Sequence, residues 1–307
     1  MLGAAMHCLK EGLTSMTTLL VGFDSAWTAA NQGALIGVLW SDDGTIQELD
    51  TPQPASYREA QRMIRDWQRR HDPDMTVVLL DQPTIVNNER GQRPVENIIS
   101  PAVGRRYGGI QPANTSRKSM FGKDAPVWRF LGEFGGPANP FGLAPGTQVL
   151  ETYPTLALIA LGWTLPDRRP CGRLPKYNPE RRRTFVLSNW EHVCRQVSEA
   201  LRVRALTRTV EWLDRIARAH APSKVDQDRL DSCICLLVAL YIVETRDCLM
   251  VGTLGEGYII VPYRAELAEE LEARCRATGR STEEWVCPLR LSAPAGPFRR
   301  IAPDPTR

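Results

Sequence analysis

The sequence has no C-x-x-C pair and only four histidines, His7, His71, His192 and His220. Its eight cysteines are scattered, at 8, 171, 194, 233, 235, 248, 275 and 287. Zinc-ligand spacing is therefore missing, which argues against a zinc site. A secretory leader is missing too: "MLGAAMHCLKEGLTS" has no basic region followed by an apolar stretch and a cleavage site. The expectation is a cytoplasmic protein with reduced thiols. Long apolar runs are absent. The longest, Cys233 to Val243, is too short to cross a membrane. There is no G-x-S-x-G elbow and no G-x-x-x-x-G-K-[ST] loop, so neither the usual serine nucleophile nor a P-loop is on offer. No internal repeat is found. A strong net charge is also lacking. The value of +3 neither demands nor excludes nucleic acid, so local distribution matters more.

What is present is a chain of 307 residues with 43% hydrophobic content, enough for a substantial core. Residues 18–24, 33–40 and 44–50 read as three strands joined by short turns, an antiparallel meander. "SYREAQRMIRDWQRR" (56–70) reads as a helix with Ser56 as N-cap and Ala60, Met63, Ile64 and Trp67 as its apolar stripe. "MTVVLLDQP" (75–83) is a fourth strand. A helix between the third and fourth strands implies a crossover onto a parallel neighbour. From Thr84 to Gly146 the pattern dissolves into a stretch with ten glycines and seven prolines. That composition predicts an active-site cover, a binding loop or disorder. A strand at 147–154 and helices at 155–163, 183–201, 206–220, 224–246 and 264–278 follow. "GYIIVP" (257–262) reads as a short strand or extended arm. The string predicts a mixed five-stranded sheet with helices on both faces.

Two apolar strands end alike, "LLVGFD" at Asp24 and "VVLLD" at Asp81. If they lie parallel, both carboxylates emerge at the edge where open α/β sheets bind ligands. In "SKVDQDRLDSC", Asp228 and Asp231 stand three apart, about 60° around a helix, and share a face. Asp226 fits a capping box with Ser223 instead. Asp231 opens the apolar half of a buried helix, where a lone carboxylate needs pairing or a metal. Glu151 closes a further apolar strand in "VLETYP". Carboxylates converging on one edge repel unless a cation neutralises them. With no histidine or cysteine among them, such hard oxygen ligands suit magnesium or manganese, one or two ions.

These segments carry a resemblance. "VGFDSAW", "LLDQP", "ETYP", "PKYN" and "DQDRLDSCICLLVAL", in that order and closed by "GEGYIIVP", resemble the ribonuclease H-like superfamily. The match is to a bacterial family described as predicted RNase H-fold nucleases and covers roughly residues 18–262. The resemblance implies an RNase H-like mixed sheet whose first-strand, fourth-strand and last-helix acids hold divalent metal. Those acids fall on Asp24, Asp81, and Asp228 or Asp231. The Asp-x-x-Asp spacing is similar to that of Holliday-junction resolvases. Many relatives carry Asp-Ala where this chain has Asp231-Ser232. The implied organisation is a disordered extension at 1–15, an RNase H-like domain at 16–262 with an insertion at 84–146, and a C-terminal helix and mobile tail at 263–307.

Residues 168–183 hold seven basic residues against one acid, Glu180. A nuclease needs such a surface to track phosphates. Arg173, Lys176, Tyr177 and Arg181 are its candidate substrate contacts, and "SRK" (116–118) could add more. Trp27, beside Asp24, could stack on a base.

The expectation is a metal-dependent phosphodiesterase acting on DNA or RNA with water as nucleophile. Asp24, Asp81 and Asp231 are its ligands, and Asp228 and Glu151 complete the set. Two rivals remain: a nucleotide-phosphate enzyme of the sugar-kinase and actin class, and a non-catalytic binding protein. Oligomeric state is not legible.

Overall fold

The computed structural model describes residues 16–106, 108–166, 176–181, 183–245 and 247–290. β1 (Thr17–Asp24) and β2 (Gly33–Ser41) form an antiparallel pair. The expected third strand is reduced to β3 (Ile46–Glu48), and a further short strand, β4 (Gln53–Ala55), follows it. Both lie along the same edge of β2, β3 against Val38–Trp40 and β4 against Gly33–Leu35. β4 was hidden in the sequence because it is three residues long and contains Pro54. Proline is tolerated on such an edge strand.

α1 (Tyr57–His71) starts where its capping signal predicts. Ser56 and Glu59 form a reciprocal capping box, worth about 1 kcal/mol for the cap alone. Tyr57, Ala60, Ile64 and Trp67 are its buried stripe. The crossover delivers β5 (Met75–Asp81) parallel to β1, as expected.

Residues 84–146 are not structureless. They form α2 (Pro94–Arg106), α3 (Lys118–Phe121) and α4 (Pro126–Glu133). Pro94 and Pro126 sit at helix starts, where the missing N–H is harmless. In α2, Val95, Ile98, Ile99 and Ala102 are buried at helical spacing despite Pro101. β6 (Gly146–Glu151) then pairs parallel to β5, and α5 (Pro154–Ala160) leaves its end. α6 (Leu187–Arg202), α7 (Thr207–Ala217) and α8 (Lys224–Glu244) complete the helical side. The main sheet thus has six strands where five were expected. Its path is β3-β2-β1-β5-β6, with β4 beside β2.

Alternate residues of the strands face opposite layers. Leu19, Val21, Phe23, Val78 and Leu80 pack toward α1 and α4. Leu20, Ile36, Val77 and Leu79 join the larger core around α8. Each such fully buried side chain contributes about 1.5–3 kcal/mol.

Beyond α8 the chain builds a second, antiparallel sheet of order β8-β7-β9. It comprises β7 (Asp247–Thr253), β8 (Gly257–Pro262) and, after α9 (Ala265–Ala277) and α10 (Thr282–Trp285), β9 (Val286–Arg290). Sequence patterning found only β8 and α9 of this unit. β7 follows the apolar run of α8 without a break in hydrophobicity, and β9 contains a proline. Thr152 Oγ1 donates to the Ile260 carbonyl at 2.8 Å and ties this sheet to the end of β6. Among the described residues, no helix is long and apolar enough to cross a membrane.

Candidate metal centre

Apolar sequence carries β1 and β5 through the middle of the sheet, and each run stops at an aspartate. In the parallel pairing, Asp24 and Asp81 are direct partners. They stand together at the carboxyl end of the strands, the edge where open sheets bind ligands. The third acid comes from α8. A capping box between Ser223 and Asp226 sets the start of that helix. Gly22 then lets the helix close on β1, bringing Asp231 over the same edge. Carboxylate oxygens of Asp24, Asp81 and Asp231 all lie within 4.8 Å of one another. Asp24 is 5% exposed and Asp231 4%.

This geometry strains the charge balance. Asp24 is held well above the usual carboxylate range by burial, then by Asp228 and Asp81, with Lys224 opposing. Asp81 is likewise raised, by burial and then Asp231. Burial also pushes Asp231 up to about 7, against the pull of Lys224 and of hydrogen bonds from Tyr177 and Gln227. The Tyr177 hydroxyl donates to Asp231 Oδ1 at 3.0 Å, and Gln227 Nε2 donates to Oδ2. Three buried carboxylates this close cannot all ionise without a cation. They can hold a metal ion, and hard oxygen donors with no sulfur or imidazole fit a hard divalent one.

Asp228 shares the face of Asp231, as its spacing predicts, but it is not one of the three converging acids. It pairs with Lys224 one turn earlier. Burial works against the Lys224 ammonium, yet Asp24, Asp228 and Asp231 outweigh it and raise its pKa. The cleft above the triad measures about 830 Å³. Seven carboxylates line it against two cations, Arg93 and Lys224.

Glu151 lies at the rim of the cleft and is committed elsewhere. Arg93 grips both its oxygens, at 2.6 and 3.0 Å, and the Thr84 backbone N–H donates to it at 2.8 Å. Arg93 also binds Glu96 at 2.8 Å, so one buried arginine joins two carboxylates. Burial raises the Glu151 pKa while Arg93 and Thr84 pull it back. Arg93 was missed from sequence because it lies in the glycine- and proline-rich stretch. Its signal was there: "RPVE" begins a helix, with proline first and an acid in the opening turn.

The expected substrate contacts meet different fates. Lys176 and Tyr177 are buried, at 2% and 0% exposed, so neither forms an open phosphate-tracking surface. Tyr177 instead supports Asp231. Arg181 is exposed. Arg173 lies outside the described residues, as do Arg168 and Arg169. Trp27 does not stand open for stacking. Its Nε1 donates to the Asp81 carbonyl at 3.1 Å, and its ring meets Phe121 edge-on at 5.6 Å. Gln82, next to Asp81, was also missed. It is 1% exposed and accepts from Ser25 and Tyr57.

The chain matches no family model, and no curated protein or solved structure shows significant similarity to it.

Proposed function

We propose that this chain is a divalent-metal-dependent nuclease of RNase H-like fold, using magnesium or manganese. The observation that carries the reading is the convergence of three buried aspartates from β1, β5 and α8 at one sheet edge. Strand order and the position of the acids agree with what the sequence resemblance implies. Asp24, Asp81 and Asp231 would hold the ion or ions. A divalent cation bound there would supply activated water and charge stabilisation for phosphodiester displacement.

The chain's own residues do the rest. Tyr177 and Gln227 orient Asp231 and lower the energy of its ionised form. Lys224 draws Asp228 away from the triad and offsets its field. Trp27 fixes the backbone at Asp81. Glu151, held by Arg93, shapes the rim. The described cysteines are free thiols, which suits a reducing cytoplasm.

A kinase of the actin class would need a duplicated sheet. The second sheet here is a three-stranded antiparallel unit, which weighs against that reading.

The test is cleavage of single-stranded, duplex, hybrid and branched DNA and RNA with magnesium or manganese. The reading predicts cleavage that Asp24→Asn abolishes while the fold persists. Cleavage retained in Asp24→Asn and in Asp231→Asn, or none by the native chain on any substrate, would overturn it. The second result would favour a non-catalytic binding protein.

A further inference from the structure

Every exposed residue of α1 is an arginine: Arg58, Arg62, Arg65, Arg69 and Arg70. The first four recur at intervals of four, three and four. They therefore lie within about 60° of one another around the axis, opposite the buried stripe of Ala60, Ile64 and Trp67. Eleven residues of rise make this a straight row about 16 Å long. The four line a shallow groove with Gln61 and Asp66. Arg65 pairs with Glu133 of α4 and Arg69 with Asp66. Arg58 and Arg62 make no ion pair within 4.0 Å among the described residues.

Solvation alone is a poor account of this face. A solvated helix usually mixes signs at i,i+4, whereas Arg58–Arg62 and Arg65–Arg69 are like-charge pairs that disfavour the helix. Arg58 also stands near the positive end of the helix dipole. The row begins beside the candidate metal centre. Tyr57 bonds to Gln82, the neighbour of Asp81, and Gln32 at the cleft wall donates to Glu59 at 3.3 Å.

We propose that this arginine face docks the phosphate backbone of duplex nucleic acid. The choice of nucleic acid rests on the nuclease reading of the adjacent cleft. The choice of duplex comes from what α1 does not expose. Single strands are held by aromatic stacking as well as charge, and α1 exposes no aromatic ring. A membrane surface helix inserts apolar side chains, and α1 exposes none. A duplex backbone needs only a rigid row of cations. Arginine, whose planar fork matches phosphate, suits that use better than lysine.

The experiment measures binding by the full chain in EDTA, so that cleavage plays no part. The probes are duplex DNA, duplex RNA, single strands of each, and phosphatidylserine vesicles, across a range of salt. The native chain should prefer duplex. The variant carrying R58A, R62A, R65A and R69A should lose at least tenfold in duplex affinity, with a plot of log affinity against log salt shallower by about three. The corresponding four-lysine variant should regain most of the affinity, which separates charge loss from misfolding. No duplex binding, unchanged affinity in the alanine variant, or tighter binding of single strands or vesicles would overturn the proposal. Metal-dependent cleavage with an indifferent α1 face would leave the nuclease reading standing alone. Arginine-dependent duplex binding without any cleavage would do the reverse.

Discussion

Gly22 of β1 lies directly against the backbone of Ser232 in α8. A methyl group on Gly22 would sit 2.1 Å from the Ser232 carbonyl oxygen and 2.4 Å from the Leu236 nitrogen. Those are backbone atoms that no rotamer change can move. The contact fixes how closely α8 approaches the strand, and Asp231 is the residue before Ser232. Gly22→Ala should therefore push α8 off the sheet and cost about 2 kcal/mol of stability through overpacking. It should also weaken manganese binding at least tenfold while leaving all three aspartates in place. Urea melts and metal titration of the variant check both effects.

The pH dependence follows from the raised carboxyl pKa values. In the folded, metal-free chain Asp231 titrates at about 7, and Asp24 and Asp81 are also raised. In the unfolded chain an aspartate titrates near 3.9. Between about pH 4 and pH 7 the folded state thus binds more protons than the unfolded state. Stability of the metal-free protein should fall as pH rises through that window and level off above it. A bound divalent cation favours the ionised form and should reverse the loss. Urea denaturation at pH 5 and pH 8, with EDTA and with manganese, should show a larger metal effect at pH 8.

Asp81→Asn removes one of three repelling charges. No hydrogen bond contributes to holding the Asp81 carboxylate in its ionised form. The variant should be more stable than the native chain in EDTA at pH 8, by about 1 kcal/mol, the worth of roughly one pKa unit of repulsion. It should lose most of the stabilisation that manganese confers. Thermal melts with and without metal read both quantities. A less stable variant in EDTA would show that Asp81 plays a packing role instead.

Glu151 should act through the fold. Arg93 is buried between Glu96 and Glu151. Removing one member leaves a buried charge unpaired, a loss of about 3–5 kcal/mol. Glu151→Gln should lower stability and leave metal affinity of the folded fraction unchanged. Calorimetry on the folded protein at low temperature distinguishes this from a ligand role, which would lower the affinity itself.

The main features of the site were legible because they obey local rules. Asp24 and Asp81 each end an apolar run, and a helix between the runs implies the parallel pairing that aligns them. Asp231 stood out because it opens the apolar half of α8. The spacing of Asp228 was read correctly, but spacing could not show that Lys224 had claimed it. Glu151 was read as a strand-end acid like the others. Its partner Arg93 lies 58 residues away, and no local pattern links the two. Helices α2 to α4 were hidden because glycine and proline density masked a buried stripe that three-dimensional packing rewards. β4, β7 and β9 were missed because edge position, unbroken hydrophobicity and an internal proline each erase the alternation that marks a strand. The arginine row of α1 was plain in the sequence, but its meaning depends on the burial of the opposite face and on its position beside the cleft.

The central claim is that Asp24, Asp81 and Asp231 form one divalent-cation site. Calorimetric titration of manganese into the native chain at pH 8 tests it most directly. The account predicts saturable binding of one or two ions that Asp24→Asn and Asp231→Asn each reduce at least tenfold. Absence of saturable binding by the native chain, or binding unaffected by either substitution, would contradict it.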